Sequence, residues 1–271
     1  MKHRIFLRVS AVALCLTLTA CLSVGPKPMP PDASFNYRAS DPKLLLIVVG
    51  GNWECAGDKG LWPHRRRLAD DVARLTGLRT TELSTRYFSW TGDPGGHEGC
   101  TPGPNRLDGE RKILDTLKAA GELRPEVPIA LVGWSNGGAT AALLSRLIDS
   151  EGHPRVSLLV TLDPVSALTE RKVDAAASVW LDVYTKSPIT KKIDFGGLVA
   201  FVGLAWNRFD GPQSITCMSG HHGETLRMWQ SIVVESALLE TWARTFNTAK
   251  RLGQPVIPLR TGNPAEVCSD A

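Results

Sequence analysis

The chain predicts an α/β domain, built on a mainly parallel central sheet with helices on both faces, and three observations carry that expectation. Continuous apolar runs such as KLLLIVVGG, residues 43–51, read as strands covered on both sides. These runs alternate with helical stretches, and glycine or proline separates the two at the spacing of crossover units. With 271 residues, 43% hydrophobic and 21% charged, the chain can bury a full core, and nothing in its composition argues for disorder. No internal repeat appears, and the roughly 230 residues after position 40 suit one domain better than two.

Residues 1–20 have a basic start, a short apolar run and small residues leading to Cys21, the pattern of a secretory signal too short for a comfortable span. Its end, Leu18-Thr19-Ala20-Cys21, resembles the lipobox of bacterial lipoproteins, which implies cleavage before Cys21 and acylation of that cysteine. Leu22 in place of an aspartate resembles lipoproteins sent on to the outer membrane, so a periplasm-facing lipid anchor is the expectation. Loss of residues 1–20 removes Lys2, Arg4 and Arg8 and no acid, which takes the formal charge from +4 to +1. The basic balance therefore gives no case for a nucleic-acid partner. Residues 21–40 are proline-rich and aperiodic, an extended tether, and residues 41–271 form the folded domain.

The first strand, KLLLIVVGG, leads to a helix over WPHRRRLADDVARLTG, with Pro63 early and Gly77 closing it. A second strand, TRYFSW, a glycine-rich loop from Thr91 to Pro104 and a helix from about Arg106 to Ala120 follow. VPIALVGW is the third strand, GGATAALLSRLIDS a helix, RVSLLVTLDPV the fourth strand and SVWLDVYT a fifth. One long helix, SIVVESALLETWARTFNTAKRL, closes the pattern. Once Cys15 leaves and Cys21 is acylated, four cysteines remain, an even number consistent with two disulfides in an oxidising compartment. Three pairings are open. Cys55 and Cys100 each follow a strand closely, which favours Cys55 with Cys100 and Cys217 with Cys268, each closing a loop worth about 4 kcal/mol in the chain-entropy model.

Gly133-Trp134-Ser135-Asn136-Gly137 fits G-x-S-x-G between a strand and a helix. Here the chain resembles the α/β-hydrolase superfamily, whose nucleophilic serine occupies a strained turn that needs small neighbours. The resemblance implies the chain order serine, acid, histidine, so the base is sought after Ser135. His153 belongs to the opposite end of the sheet, which leaves CMSGHHGETL, with His222 beside Gly223 favoured and His221 the alternative. Asp163 ends the fourth strand in VTLDPVS and resembles the Leu-Asp-Pro of lipases related to the pancreatic enzyme. Asp182 and Asp194 are the alternatives at the commoner position, after the following strand. Two backbone donors for an oxyanion are implied at Asn136 and in GGNWE, where counting from the strand end points to Asn52 with Gly51 or Trp53 one residue either way.

His97 and His64 lack the spacing of a zinc site, so neither metal nor cofactor is expected. The apolar stretch GGLVAFVGLAW, inside 187–213, suits a pocket wall, a membrane-facing patch or a buried element equally. Trp53 and Trp134 give the site an aromatic setting that suits acyl or lipid esters as substrates. The resemblance thus implies a serine hydrolase acting on carboxylic esters. Peptidase, thioesterase or acyltransferase chemistry uses the same parts. A non-catalytic envelope lipoprotein that binds a partner is the alternative from another class.

Overall fold

The computed structural model describes residues 35–51, 54, 60–90, 108–165, 175–186, 214–220, 222–252 and 265–268. Cys21 and the tether, Asn52, Trp53, Cys55, His97, Cys100, Asp194, His221 and the apolar stretch within 187–213 lie outside them.

Seven strands form one sheet: β1 (Leu44–Val49), β2 (Leu83–Phe88), β3 (Ile129–Trp134), β4 (Val156–Leu162), β5 (Ala177–Lys186), β6 (Ser214–Ser219) and β7 (Ala265–Cys268). Their order is β2-β1-β3-β4-β5-β6-β7 and every adjacent pair is parallel. Among the described residues, five α-helices pack on it: α1 (Arg65–Thr76), α2 (Gly109–Ala119), α3 (Asn136–Ser150), α4 (Thr225–Glu235) and α5 (Ala237–Leu252). This is the α/β architecture, a parallel central sheet with helices on both faces, expected from the alternating pattern.

The continuous apolar run of β1 shows why the sheet is covered on both sides. Leu44, Leu46 and Val48 enter one core with Leu68 and Val72 of α1, Trp229 of α4 and Trp242 and Phe246 of α5. Leu45, Ile47 and Val49 enter the other with Ile113 and Leu117 of α2 and Leu144 and Ile148 of α3. Successive side chains of a strand point to opposite faces, so a strand buried twice must be apolar at every position. All six β1 residues are buried, each such side chain worth roughly 1.5–3 kcal/mol. On the first face, buried Asp71 ties α1 to α4, accepting from Trp229 Nε1 at 3.1 Å as well as from Arg67 and Arg74 of its own helix.

Two expectations need correction. The long last helix is two helices, because Ser236 is extended, with φ −87° and ψ 99°, and its Oγ accepts from Leu239 N at 3.2 Å. A serine that caps the following turn competes with helix continuation. The residues around CMSG, where no strand is expected from the sequence, are largely β6, and β7 is likewise unexpected: β6 is short and half-buried at its start, and a four-residue strand gives no period to read.

The sheet order creates the place where a site can form. The chain leaves β1 to β2 on one side and returns to β3 on the other, and loops diverge at such a switch point to leave a crevice at the strands' carboxyl ends. The turn after β1 and the turn after β3 both open there.

Candidate active site

Ser135 follows β3 directly with φ 56° and ψ −129°, a conformation that non-glycine residues rarely adopt. The turn is held by its own backbone: Ser135 N donates to Leu162 O at 3.0 Å, and Ser135 O accepts from Gly138 N at 2.9 Å and Val165 N at 3.1 Å. Sterics explain the flanking glycines. A Cβ at Gly133 would lie 2.4 Å from Gly137 O, and one at Gly137 would lie 2.3 Å from Val49 O.

Three side chains that are far apart in sequence meet at this turn. Ser135 Oγ lies 2.9 Å from His222 Nε2, and His222 Nδ1 lies 2.6 Å from Asp163 Oδ2. All three are buried. With a carboxylate facing Nδ1, that nitrogen carries the proton and donates it to Asp163, so Nε2 is the acceptor for the serine hydroxyl. His222 is fixed by a neighbour the sequence reading had placed only in the pocket wall. Trp134 Nε1 donates to His222 O at 2.9 Å, and the two rings lie 5.2 Å apart at 33°.

Asp163 sits just past β4 with φ 43°, and its N–H donates to Val183 O at 2.5 Å. Its carboxylate is held from the next strand by Thr185, a residue the sequence reading missed. Thr185 Oγ1 donates to Oδ2 at 2.6 Å and Thr185 N to Oδ1 at 3.2 Å. Oδ2 therefore receives both the imidazole and the threonine hydroxyl. No local signal marks Thr185, since its partner is 22 residues away.

Asp182, an alternative acid, is elsewhere in the network. It lies inside β5 opposite Thr161 and accepts that residue's hydroxyl at 2.5 Å, while Trp180 Nε1 donates to the same Thr161 oxygen at 3.0 Å. Burial, and secondarily the Asp163 charge, pushes the Asp182 carboxyl up to about 8 against the pull of Thr161. A carboxyl raised in this way favours its neutral form, the wrong state for orienting an imidazolium. His153, passed over in the sequence, is half-buried between α3 and β4.

Asn136 opens α3, and the first N–H groups of a helix have no intrahelical acceptor. Its amide directly follows the serine and can face an oxyanion there. On the other side of the crevice, Gly51 approaches so closely that a Cβ on it would lie 2.8 Å from Ser135 Cβ and 2.5 Å from the Trp134 ring. Among the described residues no cluster of three or more His, Cys, Asp or Glu could hold a metal.

Two further residues that sequence reasoning missed brace this turn. Glu54 is a buried carboxyl whose Oε1 accepts Leu61 N at 2.5 Å and whose Oε2 is bonded by the Tyr87 hydroxyl. Thr225, at the start of α4, donates its hydroxyl to Gly60 O at 2.6 Å and so joins the histidine segment to the same loop. Near the far edge of the sheet, Cys217 of β6 is disulfide-bonded, and Cys268 of β7 stands opposite it in the pairing.

No protein-family model and no curated protein matches the chain. Among solved structures, the thioesterase of the prodiginine biosynthetic pathway in Streptomyces coelicolor is 12% identical with a TM-score of 0.41, covering 83% of this chain and 91% of that one. A thermophilic carboxylesterase cloned from a metagenomic library is 17% identical with a TM-score of 0.39, covering 79% and 82%. A hyperthermophilic esterase of the archaeon Pyrobaculum calidifontis is 11% identical with a TM-score of 0.41, covering 79% and 78%. Likeness of that degree says nothing of activity, and the fold stands on strand order and the turn at Ser135.

Proposed function

We propose that the protein is a serine hydrolase of carboxylic esters. The observation that carries this reading is the unbroken hydrogen-bond chain from Ser135 Oγ through His222 to Asp163, set on a strained turn at the sheet's switch point. Ser135 Oγ attacks the ester carbonyl as His222 Nε2 takes its proton. Asp163 stabilises the resulting imidazolium and holds its tautomer. The tetrahedral oxyanion is met by the Asn136 amide and by a second amide from the turn after β1, for which Asn52 is the candidate by sequence count. His222 returns the proton to the departing alcohol, and water then repeats the sequence on the acyl-enzyme, with His222 as base.

Small acyl or lipid esters are the proposed substrates, supported by the Trp134 ring against the imidazole. Cys21 is the proposed lipidation site, anchoring the domain in the outer membrane with the proline-rich segment as tether. Cys217 with Cys268 is the proposed disulfide pairing, supported by their facing positions in β6 and β7, and Cys55 with Cys100 the second.

The test is hydrolysis of p-nitrophenyl acetate, butyrate and laurate by the chain from Ser23 onward, beside Ser135→Ala and a fluorophosphonate probe. Turnover and labelling that both vanish in the variant are expected, with turnover falling about 10⁶-fold. An unlabelled wild-type serine with no turnover on any ester would overturn the reading in favour of a binding role.

A further inference from the structure

Glu54 is a buried acid that the mechanism above leaves unused. Glu54 lies in the loop between β1 and α1 with its carboxyl wholly surrounded. Backbone N–H groups of Leu61, Gly51 and Trp62 face it, and Tyr87 of β2 bonds Oε2. The loop is moulded to this carboxyl. A Cβ on Gly50 would lie 1.7 Å from Glu54 Oε2, and one on Gly60, itself left-handed at φ 74°, would lie 2.2 Å from Oε1. The same loop touches the reaction centre at Gly51, beside Ser135 Cβ, and the histidine segment through Gly60 O and Thr225.

We propose that Glu54 is a positioning residue: its carboxyl gathers Gly51, Leu61, Trp62 and Tyr87 into one knot and so sets where the Gly50–Gly51 turn lies against Ser135 while the oxyanion forms. This rests on the hydrolase reading. The Gly51 amide is turned to Glu54, so the knot fixes the described end of the turn from which the second oxyanion donor is proposed to come. A displacement of an ångström or less at such a donor costs rate rather than binding.

The knot has a pH range. Burial pushes the Glu54 carboxyl up to about 8, against the three amides that favour its charge. Among the described residues no charged side chain is bonded to this carboxyl. Tyr87 of β2 donates its hydroxyl, and burial lowers the proton affinity of His64 in the adjoining turn. Arg65 of α1 is spent on Trp62, stacked at 3.8 Å and bonded to its carbonyl at 2.6 Å. From α4 comes only the Thr225 hydroxyl, directed to Gly60. Above about pH 8 a negative charge develops in this closed space a few residues from where the oxyanion must form, which opposes that oxyanion and loosens the loop.

Two readouts test this. In ester hydrolysis, Glu54→Ala is expected to lower kcat about 10- to 100-fold with KM nearly unchanged. Glu54→Gln, the neutral isostere, restores most of kcat at pH 7 and removes the wild-type decline above pH 8. A folded Glu54→Ala chain with wild-type kcat, or a Gln variant that keeps the alkaline decline, overturns the proposal. Amide hydrogen exchange over residues 50–62, compared between wild type and Glu54→Gln at pH 6.5 and 9.5, needs neither activity nor the alanine variant. Protection that falls more in wild type than in the Gln variant supports the knot, and equal change overturns it. A wild type with no ester turnover at any pH sinks the hydrolase reading, and exchange then decides Glu54 alone.

Discussion

The two sides of the site are built by opposite means. At the ends of β1 and β3 the serine turn is shaped by missing side chains, with Gly133, Gly137 and Gly51 each packed against atoms that any Cβ would strike. At the ends of β4, β5 and β6 the acid and histidine are shaped by side chains that reach across strands, Thr185 to Asp163 and Trp134 to the His222 carbonyl. The first is a matter of space and the second of wiring. Damage to the first should cost the fold, and damage to the second should cost activity while the fold survives.

Asp163→Asn gives the sharpest break on the wired side. The amide leaves the geometry near 2.6 Å but favours the wrong imidazole tautomer, and a fall in kcat of about 10⁴ is expected with unfolding unchanged. Steady-state kinetics beside a urea melt checks both halves, and a variant equally active or equally unfolded would erase the contrast. Gly137→Ala attacks the spatial side. Its Cβ would lie 2.3 Å from Val49 O and 2.4 Å from Gly50 O, both backbone atoms that cannot swing away, so a loss of about 4 kcal/mol in stability is expected. A Gly137→Ala chain that melts like wild type would show that the turn has slack.

Thr185→Val removes one of the donors to Asp163 and leaves the backbone donor. A hydrogen bond to a charged group is worth about 1.5–3 kcal/mol, and kcat should fall on the order of 10-fold with KM held, while Thr185→Ser recovers. The smallest effect concerns Asp182, whose carboxyl is raised from 3.8 to about 8 in the folded chain. Between those values the folded state binds the proton more tightly than the unfolded one. Its contribution to stability is therefore full below about pH 4 and is lost as pH rises through 8. Asp182→Asn should flatten its share of that decline in the urea midpoint and leave kcat at pH 7 within about 2-fold.

The same contrast explains what could be read from the sequence. The serine turn is legible because sterics act between residues two apart, so glycines flank Ser135 in the chain itself. Asp163 and His222 are the two favoured residues that meet Ser135, but Asp182 and His221 stayed open because choosing among them requires knowing where a strand ends in space. Asp182 lies within β5, whereas Asp163 lies one residue beyond β4. Thr185, Glu54 and Trp134's bond to His222 join residues 22, 33 and 88 apart, and no periodicity encodes such pairs. The strand pattern was plain for the doubly buried β1 and β3, and faint for β6 and β7, of which β6 pairs with β5 and β7 with β6 at the sheet's edge. The break at Ser236 escaped because its cap interrupts apolar periodicity without changing it.

The partners Ser135 and His222 are separated by 87 residues, and that distance orders events in time. A chain growing from its N-terminus completes β1 through β4 and Val165, and thus the whole strained serine turn with its bonds to Leu162 and Val165, well before its base exists. Until β6 is laid beside β5 and the segment carrying His222 reaches the Trp134 ring, the hydroxyl has nothing to take its proton. On the hydrolase reading, a half-made chain therefore carries its serine turn without a base, and reactivity arrives together with the last strands of the sheet.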